Sequence, residues 1–128
     1  MIEEEYVSFE TAKLLKEKGF NEKVICYYDD GGSLNLNKFV EFQCCNEGYG
    51  SGVFAAPTLQ IAMKWLLKAH KLFVNVCPSV EGYYWTEKWH SYVDNLEKRY
   101  PFGKFIGTFN THEQACEAAI KYCLENLI

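Results

Sequence analysis

Seventeen residues, Pro57–Phe73, read PTLQIAMKWLLKAHKLF and constrain the fold more than any other stretch of the chain. At 100° per residue Leu59, Ala62, Met63, Leu66, Ala69 and Phe73 share one helical face, with Ile61 and Trp65 on one flank and Leu67 on the other. The apolar arc takes in more than half the circumference, and Lys64, Lys68 and Lys71 keep to one narrow polar stripe. Such a helix has to be packed on two sides, so the pattern predicts a central helix with a single strip in water. Pro57 suits the first turn, where a missing N–H costs nothing, and Thr58 offers a cap.

Two further helices are expected at the ends. In Val7–Phe20 (VSFETAKLLKEKGF) Ser8 is the candidate N-cap, Lys16 and Lys18 sit near the negative end of the helix dipole, and Gly19 is a stop that lets Phe20 fold back on Leu15. Its apolar face, Phe9, Ala12 and Leu15 with Leu14 beside it, is modest, so this helix should lie on a sheet. In Thr111–Ile128 a capping box joins Thr111 to Gln114, and Cys116, Ala119, Ile120, Cys123 and Leu127 form one stripe.

Between the helices the period changes to two. Lys23–Tyr28 (KVICYY) is β-branched and aromatic, Asp29-Asp30-Gly31-Gly32 favours a tight reversal, and Leu34–Cys45 reads as the return strand, firmest over Phe39–Cys44. The Asp-rich turn lacks the alternating acids and the closing Glu of a calcium loop. Gly48-Tyr49-Gly50-Ser51-Gly52 leads towards the central helix without the Gly-Lys-Ser/Thr of a phosphate loop, which points to a mobile loop or bulged edge. Leu72–Cys77 is expected to be a strand stopped by Pro78. In Glu81–Val93 the alternation sends Tyr83, Trp85, Glu87, Trp89 and Ser91 one way, towards the core around Trp85, and Tyr84, Thr86, Lys88, His90 and Tyr92 the other. Asp94–Lys104 is a charged loop, and Lys104–Asn110 a last strand in which Gly107 suggests a bulge. The order α-β-β-α-β-β-β-α predicts an α+β class, helices packed on a mainly antiparallel sheet, in a single domain over residues 1–128.

Composition narrows the function classes. Aromatic residues make up 16%, with nine Tyr and nine Phe, which fits a sheet-rich domain. A net charge of −4 argues against a broad nucleic-acid footprint, because phosphate binding needs clustered cations. The acidic start, Met-Ile-Glu-Glu-Glu-Tyr, has no apolar leader core, and no run of about 18 apolar residues occurs, so a cytoplasmic protein without a membrane span is expected. The six cysteines, Cys26, Cys44, Cys45, Cys77, Cys116 and Cys123, form no C-x-x-C pair or Cys/His quartet, so they read as free and mostly buried thiols.

The stretches EEYVSFETAKLLKEKGF, APTLQIAMKWLLKAHKLF, YYW and FNTHEQACEAAIKYCLENLI resemble a family of uncharacterised small proteins of Bacteroides-type gut bacteria and their phages and mobile elements. More distantly, the central helix, the Trp-bearing strand and the Ala-rich last helix are similar to phage α/β/α-sandwich domains. The resemblance covers both ends and the middle, but not Gly31–Phe54 or Val93–Gly103. It implies an architecture and transfers no activity, ligand or catalytic residue.

No site pattern for catalysis is met: His70, His90 and His112 are isolated, and the carboxylates are scattered along the chain. Catalytic residues, a cofactor and a metal are therefore not expected. The aromatic surplus is the informative feature. Tyr49, Trp89, His90 and Tyr92 are the candidate interaction surface, since Tyr and Trp combine contact area with a polar handle. The favoured reading is a non-catalytic protein-binding or accessory domain of phage or mobile-element origin, with a protein partner or a homodimer. One alternative is a small-ligand binder or enzyme with a pocket between the Gly48–Gly52 loop and the Tyr84–Tyr92 strand. The other is a weak nucleic-acid binder through the lysine stripe.

Overall fold

A computed structural model describes residues 4–36, 45–47, 52–98 and 103–128. Their order is α1 (Phe9–Glu17), β1 (Cys26–Tyr28), β2 (Leu34–Leu36), β3 (Phe54–Ala55), α2 (Leu59–His70), β4 (Leu72–Glu81), β5 (Tyr84–Asn95), β6 (Lys104–Phe109) and α3 (His112–Asn126). The class is α+β, and every strand pairing is antiparallel. The strands form two three-stranded sheets, ordered β2-β1-β3 and β4-β5-β6, and the short β3 is one strand more than the hydrophobic pattern marks. The chain divides into two compact units, residues 1–61 and 62–128, with the boundary inside α2.

In the first unit α1 begins where Ser8 Oγ accepts from Thr11 N–H at 3.2 Å. It ends in a Schellman closure, Phe20 N–H to Leu15 C=O and Gly19 N–H to Lys16 C=O, with Gly19 at φ +94°. Thr11, Ala12 and Leu15 are buried as α1 packs on β3. Strand β1 covers only the end of the expected Lys23–Tyr28 run. Its turn to β2 is fixed by Asp29, whose carboxylate accepts from Gly31 N–H and Ser33 N–H, each at 3.0 Å, and from Asn35 Nδ2. The return strand is described over Leu34–Leu36; the expected core of that strand, residues 39–44, lies outside the described residues. Several side chains span long sequence separations. Asn46, buried, donates to Phe20 C=O at 2.6 Å and accepts from Ala55 N–H at 2.8 Å. Tyr28 Oη donates to Val7 C=O at 2.6 Å.

Helix α2 is capped by Thr58, whose Oγ1 accepts from Ile61 N–H at 3.3 Å. It is shorter than the sequence pattern suggests. Lys71 takes φ +57° and closes the helix with a bond from its N–H to Leu67 C=O, a left-handed cap made without glycine. Lys71 and Phe73 therefore leave the helical faces assigned to them, and Leu72 starts β4. Leu59, Ala62 and Leu66 are the buried stripe, whereas Ile61, Ala69, Lys64 and Lys68 are exposed. Met63, Trp65 and Leu67 beside the stripe are half-buried.

In the second unit α3 starts with Thr111 Oγ1 accepting from Gln114 N–H at 3.1 Å and lies on β4, β5 and β6. It buries Ala115, Cys116, Ala119, Ile120, Cys123 and Leu124. Leu127 lies past its end and is exposed. Pro78 does not stop β4. It sits on an edge strand beside a register shift, the two settings in which a strand tolerates a residue without an N–H. A second shift, between Ser91 and Tyr92 opposite β6, adjoins Gly107 as expected.

Candidate functional site

The alternation of β5 resolves once register and the contacts of α3 are combined. Ser91 Oγ donates to Ala115 C=O of α3 at 2.8 Å, and the Trp89 ring meets that of His112 edge-on at 5.1 Å. Trp89, Ser91 and Val93 thus face α3. His90, Tyr92 and Asp94 face the other way, together with Phe73, Asn75 and Cys77 of β4 and Phe105 and Thr108 of β6, their cross-strand partners. The four candidate surface residues are therefore not one platform. Trp89 belongs to the helix side and is half-buried. His90 and Tyr92 form a separate cluster with Phe105, at ring distances of 5.4–6.2 Å, and His90 Nδ1 lies 2.9 Å from Thr108 Oγ1. Tyr49 lies outside the described residues, as do residues 48–51 of the loop invoked for a ligand pocket.

The most exposed aromatic surface is elsewhere. Strand β6 pairs with β5 only over residues 89–93, so the distal ends of β4 and β5 continue as a two-stranded ribbon. Its tip is Gly82-Tyr83, with φ +61° at Gly82 alone, the pattern of a type II′ turn that matches strand twist. Tyr83 is 100% exposed, Tyr84 81%, Val80 58% and Trp85 53%. Register puts Val80 with Trp85 on one face and Glu81 with Tyr84 on the other, leaving Tyr83 at the end. Large apolar groups thus cluster in water on this ribbon, which makes it the candidate contact surface of the molecule.

A bulge anchors this ribbon. Between the pairs Val80↔Trp85 and Pro78↔Trp89, β4 supplies one residue, Ser79, and β5 supplies three. Glu87 takes φ +64°, Thr86 Oγ1 donates to Ser79 C=O at 3.0 Å, and Trp85 Nε1 donates to Lys88 C=O at 3.2 Å. In a regular strand residues four apart are about 13 Å apart. Here the Trp85 and Trp89 rings meet at 5.8 Å, so an edge-to-face chain runs from the ribbon through Trp89 to His112. The sequence carried two signals for this site, the Gly-Tyr-Tyr-Trp turn and the aromatic density, but strict alternation assigned Trp85 to the core. The bulge breaks that alternation.

Nucleophilic chemistry finds no support beside it. Cys116 Sγ is 3.7 Å from His112 Nδ1, yet burial pushes its thiol up to about 11, with Glu113 and Glu117 adding to the shift, so it is uncharged at neutral pH. Burial likewise pushes Cys123 to about 12. The described cysteines, Cys26, Cys45, Cys77, Cys116 and Cys123, are free thiols. Among the described residues no group of three His, Cys, Asp or Glu side chains is placed to hold a metal. No helix among them is long and apolar enough to cross a membrane.

Comparison with protein-family models, with curated proteins and with solved structures found no match in any of the three.

Proposed function

We propose that this chain is a non-catalytic binding module that engages another protein through the aromatic ribbon at residues 80–85, in the role of an accessory factor. The observation that carries the reading is the exposure of Tyr83, Tyr84 and Trp85 together on a ribbon tied to α3 by edge-to-face rings. Tyr and Trp dominate the energetics of protein interfaces because each loses little conformational freedom for the area it buries. The resemblance to phage and mobile-element proteins is in keeping with an accessory role. A helical lysine stripe supports nucleic-acid binding less well, since only Lys64 and Lys68 remain on α2.

The test is affinity capture from the cells that make the protein, using the wild-type chain beside a Tyr83→Ser/Tyr84→Ser variant, with light scattering of both. The reading expects a protein retained by the wild type and lost, by tenfold or more, from the variant. Equal retention by both chains would remove the ribbon from the interface.

A further inference from the structure

The ribbon's geometry points to the shape and charge of what it meets: we infer that the partner is a protein with an apolar groove that closes around residues 80–85 and carries Lys or Arg on its rim. This rests on the reading of the ribbon as a protein-binding surface. Its aromatic groups point in three directions, Trp85 with Val80 on one face, Tyr84 on the opposite face and Tyr83 off the end. A flat partner would bury one face and leave the other in water. Only a concave surface covers all three, as the apolar exposure requires.

The main chain is poorly suited to being read. Pro78 removes a donor from β4, and the bulge at residues 86–88, with Glu87 in a left-handed conformation, breaks the spacing of the β5 edge. A partner strand adding to this ribbon would meet no regular row of N–H and C=O groups. Recognition therefore falls to side chains.

Charge selects among apolar partners. Glu81 lies beside Tyr84 and Glu87 at the bulge, both exposed, against the single ammonium of Lys88. A second copy docked tip to tip would bring one net-negative ribbon against another, with one ammonium and two carboxylates on each. Lipid or nucleic-acid phosphates would meet them as like charges, and sinking Glu81 into a bilayer interface would cost its hydration. A groove rimmed with cations turns the same two groups into attractive contacts and steers association.

The experiment places a photoreactive benzophenone amino acid at Tyr83, Tyr84 or Trp85, one at a time, in the full chain, and irradiates the cells that make it. One and the same protein is expected to cross-link from all three positions. The purified partner should then bind a Glu81→Lys/Glu87→Lys chain at least tenfold more weakly than wild type, with Glu81→Gln/Glu87→Gln in between and affinity falling as salt rises. Adducts from Tyr84 or Trp85 but not both would overturn the groove. Unchanged affinity after charge reversal would overturn the cationic rim. Adducts only with lipid, nucleic acid or a second copy, or no adduct at any position, would overturn the underlying protein-binding reading as well. Tyr83 and Tyr84 are exposed, so circular dichroism of those two variants is expected to match wild type, whereas the Trp85 variant loses the Trp85–Trp89 ring pair and is checked by cooperative urea unfolding.

Discussion

The two compact units solve the same problem, a three-stranded antiparallel sheet with a helix on it, by different means. In residues 1–61 polar side chains link segments far apart in the chain: Asn46 joins Phe20 to Ala55, and Tyr28 reaches Val7. Residues 62–128 instead have strands of ten and twelve residues with α3 across them, and Ser91 bonds to Ala115 between helix and sheet. Charge separates them too. The first unit has ten acidic residues against five basic, the second seven against eight, so the acidity of the chain belongs to the first. Each described positive φ in residues 1–61 falls on glycine, whereas Lys71 and Glu87 bear it in residues 62–128. The lesson is that a long, well-covered sheet can carry left-handed residues and extend an exposed ribbon, while the first unit is held at several points by exact polar bonds.

Four measurements probe this contrast. The largest effect is expected from Ile120→Ala, which empties a fully buried position under α3; urea unfolding should show a loss of about 2–5 kcal/mol. Next is the polar comparison. Asn46→Ala removes two buried bonds, to Phe20 C=O and from Ala55 N–H, and should cost about 2–3 kcal/mol, whereas Ser91→Ala removes one, to a carbonyl of a kind already bonded within its own helix, and should cost about 1 kcal/mol. Equal losses would erase the distinction between the units. Smaller and of opposite sign, Lys71→Gly should stabilise by about 1 kcal/mol by relieving a left-handed lysine.

The mildest effect concerns pH. The Asp29 carboxyl is held below its ordinary value of 3.8, chiefly by the Ser33 N–H and then by Asn35. A depressed carboxyl stabilises the fold at pH above its unfolded value, and that stability is lost as pH falls through the folded one. Asp29→Asn should therefore flatten the acid limb of a stability profile slightly, the group being exposed to solvent. At the other extreme Cys116 and Cys123 are raised from 9.0. Their contribution is intact below pH 9 and declines as pH rises towards 11 and beyond, so the profile should also fall on its alkaline side.

Much of this fold is legible in the sequence because local chemistry decides it. The caps at Ser8, Thr58 and Thr111, the Gly19 closure and the buried stripe of α3 each depend on residues within one or two turns. What sequence reading misses depends on partners far away in the chain. Pro78 ends a strand only if its N–H is needed, and on an edge it is not. Asn46 reveals its role only when Phe20 and Ala55 are near it. Lys71 ends α2 where neither Gly nor Pro gives warning. Of the candidate surface, Trp89, His90 and Tyr92 lie on β5, where parity divides them between faces, and a bulge without a glycine signal separates them from the more exposed Tyr83, Tyr84 and Trp85.

The bulge at residues 86–88 also has an optical consequence. Two indole rings 5.8 Å apart and inclined at 71° have electronic transitions that couple, and a fixed chiral pair of this kind gives an exciton couplet in circular dichroism. The couplet depends on the distance and angle between Trp85 and Trp89, so anything that grips or spreads the ribbon alters it. The chain thereby carries an unlabelled reporter of the ribbon's geometry.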